Sequence, residues 1–228
     1  MADASGITPD RRPIAARNWR WSQRLADALV RLGASPNAIS LAGMVCGMLA
    51  GSAFAATPQL TELGLERGGF LAAALFIQLR LLANMLDGMV ALGSGRASPV
   101  GELYNEVPDR VSDTAIFVGA GYAVGGLSAL GYGAACVALF TAYLRAAGKA
   151  AGAANEFCGP MAKQQRMFVM TVAALYAGLA PQSWQPTWGQ TAPLGLIAAA
   201  LVVIIILGLV TAWRRLVRIA AQLRANRP

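Results

Sequence analysis

Asp87 and Asp109 are carboxylates set among residues apolar enough to cross a membrane. The stretch that carries them, Asn84 to Asp113 (NMLDGMVALGSGRASPVGELYNEVPDRVSD), holds five of the chain's eleven acidic residues. An ionised group at bilayer depth is costly unless it faces a polar cavity, a partner or a bound cation, so acids in such a setting mark a functional site.

What the chain lacks bounds the chemistry. It contains no His, which excludes imidazole bases, His-ligated zinc and His-based triads. Any general base is a carboxylate, Lys, Tyr or Cys. Cys46, Cys136 and Cys158 have no paired spacing and read as packing residues. No GxxxxGK[ST] phosphate loop occurs, and GSGR at 93–96 is too short to serve as one. An oxygen-rich cluster suits a hard divalent cation such as Mg²⁺, Mn²⁺ or Ca²⁺. Such a cation offsets the burial of Asp87 and Asp109 and can hold a pyrophosphate.

Helices must position these groups. At about 100° per residue, Arg80, Asn84, Asp87 and Ala91 share one face. After the joint GSGRASP, Gly101, Asn105, Asp109 and Ser112 share a face of the next helix, with Glu102, Glu106 and Asp113 on the adjoining flank. Pro108 marks either a kink or the true start of that helix. Two polar faces separated by a short joint are expected to meet in a pocket. The alternative use of Asp87 is a structural ion pair with Arg80 or Arg110, and Arg80 is read as a neutralising partner rather than a substrate contact.

Hydrophobic residues make up 56% of the 228 and charged residues only 13%, the composition of an integral membrane protein. Six windows are long and apolar enough to span, at residues 38–57, 70–92, 109–128, 131–148, 165–184 and 191–212. Only GGLSALGYG separates the third from the fourth, which leaves a five-span count as the alternative. The expected fold is all-α: a six-helix transmembrane bundle over 38–212, preceded by an arm and interfacial helix (1–37) and followed by a basic tail (213–228).

Cations set the orientation. Arg11, Arg12, Arg17, Arg20, Arg24 and Arg31 precede the first span, and Arg96, Lys149, Lys163 and Arg166 sit at alternate joints. Arg214, Arg215, Arg218, Arg224 and Arg227 follow the last, whereas the opposite loops carry only Arg67. Both termini are therefore expected in the cytoplasm, in an inner (cytoplasmic) membrane. The net charge of +8 is then a topology and lipid-surface signal, and no nucleic-acid partner is expected. Residues 1–16 have no apolar signal-peptide region. From Asn18 to Leu32, Trp19, Leu25, Leu29 and Leu32 alternate with arginines at helical spacing. This is read as an amphipathic helix in the membrane interface anchored by Trp19 and Trp21, the alternative being a solvated helix or arm.

At this point the spacing resembles the CDP-alcohol phosphotransferase family. Asp87-Gly88, Ala91, Gly101 and Asp109 fall at the family signature's positions. SPNAISLAGM at 35–44 is similar to the lead into its first span, and YLRAAGKAAGA at 143–153 and GPMAKQQRM at 159–167 to its later basic segments. The resemblance implies transfer of a substituted phosphoryl group from a CDP-linked donor, in bacteria usually CDP-diacylglycerol, to an alcohol acceptor with release of CMP. It also implies Mg²⁺ or Mn²⁺ as cofactor, a membrane-lipid setting and often a homodimer.

By that resemblance Asp109 is the base, and Asp87, Asn84, Asn105 and Asp109 are the metal ligands. Gly88, Ala91 and Gly101 line the nucleotide. The chain departs from the family at three positions: two of its four metal-binding aspartates are Asn84 and Asn105, and its arginine after Ala91 is Leu92. Arg96 is a substitute for that arginine, and Glu102, Glu106 and Asp113 are candidates to restore metal-binding charge. Arg145, Lys149, Lys163 and Arg166 are expected to bind the acceptor's phosphate; otherwise they meet anionic headgroups. Set beside the active transferase are a catalytically inactive relative that binds lipid or nucleotide, and a small transporter with a buried carboxylate.

Overall fold

The computed structural model describes residues 19–94, 99–189 and 193–225, with the side chains of residues 99–102 and 105 outside that description. Arg11, Arg12, Arg17, Arg96 and Arg227 therefore lie outside the described residues. What is described is all-helical. The helices are α1 (Arg20–Arg31), α2 (Pro36–Ala55), the short α3 (Thr57–Thr61), α4 (Glu66–Gly93), α5 (Pro99–Gly121), α6 (Ser128–Ala150), α7 (Lys163–Leu179) and α8 (Leu196–Ala225).

A helix overlaps each of the six windows, though α5 ends at Gly121 and α7 at Leu179, short of the window ends. Of these, α2, α4, α6 and α8 are long and apolar enough to cross a membrane. Charged residues on α5 lower its hydropathy, and α7 is 17 residues long. The third helix starts ten residues earlier than its apolar window, because Pro99 suits a first turn, whose N–H groups need no partner within the helix. Pro108 accordingly lies inside α5, where the Ser112 hydroxyl donates to its carbonyl at 2.7 Å. At the other end of the chain, α8 runs on to Ala225, so the basic tail continues the last helix.

Helix α2 packs on both α4 and α5, α4 on α7, and α6 on both α5 and α8. The core between them gathers Phe54, Phe70, Ile77, Ile116, Phe117, Met170 and Leu201. Outward-facing Leu41, Val45, Leu75, Phe140, Phe168, Ile206 and Val210 are exposed, as suits a surface in contact with lipid. On α1, Ser22 and Ala26 are buried while Trp19, Trp21 and Leu25 are exposed. The helix rests on α4, where Ala26, Leu29 and Val30 meet Met85, Leu86 and Val90 beside the acidic segment.

The contact that fixes α2 against α5 is backbone to backbone. A Cβ added at Gly119 would lie 2.1 Å from the Gly51 carbonyl oxygen, and one at Gly51 would lie 2.2 Å from the Ala115 carbonyl oxygen. Small residues at such crossings let helices approach closely and gain packing that lipid does not supply. Gly51→Val is therefore expected to cost about 1–3 kcal/mol by overpacking, read as a lower unfolding temperature in detergent. Gly68→Ala, where an added Cβ meets nothing within 4 Å, should leave that temperature unchanged.

Candidate active site

The second and third long helices bring their polar faces together, with α2 covering one side. Asp87, 3% exposed on α4, accepts a 2.6 Å hydrogen bond from the Ser40 hydroxyl of α2 through Oδ2. Its Oδ1 is buried with no hydrogen-bond partner. Asn84, one turn earlier, accepts from Lys163 Nζ at 2.6 Å, and its amide donates to Asp109 Oδ1 at 3.4 Å. Asp109, on α5, also ion-pairs with Lys163 and lies 3.4 Å from Arg80. A cavity of about 10 Å³ opens between these groups, lined by Ser40, Arg80, Asn84, Asp87, Asp109 and Ser112. That is room for an ion or a water, and its walls mix oxygen-bearing side chains with Gly43, Met44 and Pro108.

Behind this recess lies a sealed ion cluster. Asp113 is 1% exposed and takes Arg80 on one carboxylate oxygen at 2.6 Å and Arg166 on the other at 2.9 Å. Arg166 also donates to the Thr141 hydroxyl at 2.9 Å. Two expectations are corrected here. The sequence puts Asp113 among the metal ligands, but both its oxygens are engaged by guanidiniums. It puts Arg166 at the acceptor, but Arg166 is 3% exposed and turned inward to Asp113.

Arg80 is a neutralising partner, as read from the sequence, but its carboxylates are Asp109 and Asp113 and not Asp87. Arg80 and Asp87 share a helix face, but seven residues of α-helix separate them by about 10 Å along the axis. A shared face is not a shared depth.

Glu106, the third acid on α5 expected near a metal, instead ion-pairs with Arg145 and lies 3.6 Å from Arg110. It borders a second hollow of about 420 Å³, lined also by Arg110, Tyr143, Arg145, Lys149 and Asn155. Arg145 stacks over the Phe157 ring at 5.5 Å. Of the four cations expected to bind the acceptor, Arg145 and Lys149 thus line this hollow, Lys163 joins the Asp109 recess, and Arg166 is sealed behind it.

The glycine-lined positions fall on the same two helices: Gly88 and Ala91 are buried on α4, and Gly101 lies in the first turn of α5. Leu92, in place of the signature arginine, is 56% exposed. The Asn105 and Glu102 side chains lie outside the described residues. Among the described residues no three Asp, Glu, His or Cys side chains gather closely enough to hold a metal by themselves. The recess nonetheless fits a hard cation. The partnerless Asp87 Oδ1, the Asn84 carbonyl and the Asp109 carboxylate form an all-oxygen donor set around it. Sequence reasoning passed over Ser40 and Thr141. Each is a hydroxyl inside an otherwise apolar segment, and that placement was the available signal.

No protein-family model matches the chain. The phosphatidylinositol phosphate synthase of Cutibacterium acnes is 30% identical over 202 residues, covering 86% of this chain and 90% of that protein. The archaetidylinositol phosphate synthase of Aeropyrum pernix is 31% identical over 205 residues, covering 90% and 93%. The phosphatidylinositol phosphate synthase of Streptomyces avermitilis is 31% identical over 157 residues, which span 66% of this chain and 60% of the relative's length. Among solved structures, Mycobacterium tuberculosis phosphatidylinositol phosphate synthase with CDP-DAG bound superposes with a TM-score of 0.69 at 19% identity, covering 88% of this chain and 94% of that one. Its complex with manganese and citrate gives 0.71 at 18% identity, covering 91% and 92%. These structures share the fold. The paired Asp87 and Asp109 on facing helices, the apolar bundle and relatives matched along nearly their full length have one reading: the chain is an integral membrane protein of the CDP-alcohol phosphatidyltransferase family, the membrane phosphotransferases of phospholipid synthesis.

Proposed function

We propose that the chain transfers a phosphatidyl group from CDP-diacylglycerol to the hydroxyl of a phosphorylated inositol or closely related polyol, releasing CMP. The observation that carries this reading is the buried pair of Asp87 and Asp109 on facing helices, both lining the recess, with Asp87 Oδ1 buried and without a hydrogen-bond partner. The donor is supported by the CDP-DAG complex of the mycobacterial neighbour. The acceptor class is supported by the names of the relatives and by the hollow that Arg110, Arg145 and Lys149 make basic. Cations recognise phosphate oxygens well.

In this mechanism the divalent cation, Mg²⁺ or Mn²⁺, would be held from Asp87, with Asp109, the Asn84 carbonyl and Asn105 as the further oxygen donors that the resemblance assigns, the first two of them shared with Lys163. When bound it supplies Lewis-acid stabilisation of the leaving CMP's charge. Asp109 takes the proton from the acceptor hydroxyl as that oxygen attacks the lipid-linked phosphorus and the bond to CMP breaks. Ser40 holds Asp87 in place by donating to Oδ2. Gly88, Ala91 and Gly101 leave room for the nucleotide along the helices, with Arg96 at the joint. Arg145 and Lys149 orient the acceptor from the basic hollow. The Arg80–Asp113–Arg166 cluster positions Asp109 from behind.

The proposed setting is a six-span bundle in the inner membrane with both termini cytoplasmic, α1 lying in the interface and two copies associating as a homodimer. A second reading, an inactive relative that binds the donor without turnover, is favoured by Asn84, Asn105 and Leu92. Purified protein with CDP-diacylglycerol and a panel of alcohols separates the two. CMP is expected to appear with an inositol phosphate and Mg²⁺ or Mn²⁺, and to fall to background with excess EDTA. Donor binding with no CMP from any acceptor would decide for the inactive relative.

A further inference from the structure

From the contacts of Lys163 we infer that this chain is built for a single divalent cation, with the Lys163 ammonium fixed where a second cation would sit. The inference rests on the metal-dependent reading above and goes beyond it. Lys163 opens α7, far from the acidic segment in sequence, yet its Nζ reaches the Asn84 carbonyl oxygen at 2.6 Å and ion-pairs with the Asp109 carboxylate. It thus bridges two positions that family resemblance assigns to metal ligands.

Charge explains why a lysine can stand there. Asp87, Asp109 and Asp113 are the carboxylates around the recess, and Arg80, Lys163 and Arg166 are the cations that meet them within 3.4 Å; Arg110, 3.9 Å from Asp109, lies nearer Glu106 at 3.6 Å, a carboxylate that balances it. The two sets cancel before any metal enters. One divalent cation then leaves a charge that a pyrophosphate matches, whereas two would leave a large excess in a site of low dielectric. With Asn at 84 and 105 the negative charge that would retain a second cation is missing, and an amide oxygen is a good acceptor for an ammonium.

The two ends of the recess differ accordingly. At the Lys163 end, the Asn84 carbonyl and Asp109 are already engaged by Nζ. At the Asp87 end, Oδ1 is buried and has no partner. The free oxygen marks where the single cation would bind. Lys163 places a positive charge beside it, available to the phosphate oxygens or to the acceptor.

Mn²⁺ titration of the full chain in nanodiscs, followed by electron paramagnetic resonance, tests this without reference to turnover. One Mn²⁺ per chain with no spin-coupled pair is expected. Lys163→Gln should bind its Mn²⁺ about tenfold or more tightly, because a fixed positive charge has been removed nearby. The triple variant Lys163→Gln, Asn84→Asp, Asn105→Asp should bind two, with the line broadening of a coupled pair. Two coupled Mn²⁺ in the unmodified chain would overturn the inference while leaving the metal-dependent reading intact. Unchanged Mn²⁺ affinity in Lys163→Gln, or a single Mn²⁺ in the triple variant, would also overturn it. Absence of Mn²⁺ binding in every form overturns both.

Discussion

Asp109→Asn is expected to slow CMP release by roughly 10²–10⁴-fold, the range over which a positioned general base accelerates proton transfer. The substitution keeps the shape of the side chain. The carbonyl of the new amide can still accept from Lys163 and Arg80, which now meet the Asp109 carboxylate. What it cannot do is take a proton. The loss should therefore fall on kcat, with the apparent KM for CDP-diacylglycerol within a few-fold of the unmodified chain. Asp87→Asn should also abolish turnover, but through the metal, so raising Mn²⁺ should restore part of the rate there and none in Asp109→Asn. Turnover by Asp109→Asn within threefold of the unmodified chain would move the base elsewhere, and Lys163 would be the next group to test.

The contrast between these two carboxylates was legible in the sequence as far as helical geometry carries it. An acid within an apolar span marked Asp87, and a spacing of four placed Asn105 and Asp109 on one face of α5. The facing of α4 and α5 followed from their short joint. The partners were hidden because periodicity gives an angle around the axis, whereas ion pairing also needs depth. Arg80 shares an azimuth with Asp87 yet pairs with Asp109 and Asp113, about two turns away. Lys163 and Arg166 reach the cluster from a helix about eighty residues further on, a contact set by how α7 packs on α4. Both read from sequence as cations for the acceptor's phosphate or for anionic headgroups at the membrane surface, since hydropathy and charge bias record where a helix ends and not which way its first turn faces. The start of α5 was misplaced for a related reason. Its acidic early turns lower the hydropathy of a segment that is helical throughout.

Asp113 is the residue whose loss should most endanger the fold. Two guanidiniums converge on it, at 2.6 Å and 2.9 Å, and the three side chains are at most 3% exposed. Arg80 Nε and Nη1 and Arg166 Nε have no other hydrogen-bond partner, so the shared carboxylate is the chief compensation for two buried positive charges. Breaking a buried pair by removing one partner typically costs about 3–5 kcal/mol, because the charge left behind remains desolvated. Asp113→Leu is expected to reach that range in reversible unfolding in mixed micelles, and Asp113→Asn to lose somewhat less. The cluster predicts its own remedy. Replacing Arg166 by Met in the Asp113→Leu background removes one of the stranded charges, so the double variant should be more stable than the sum of the single losses implies. A loss below about 1 kcal/mol for Asp113→Leu would match a solvated pair. It would mean that water reaches Arg80 and Arg166 from the recess, and that Asp109 is held chiefly by its own ion pair with Lys163.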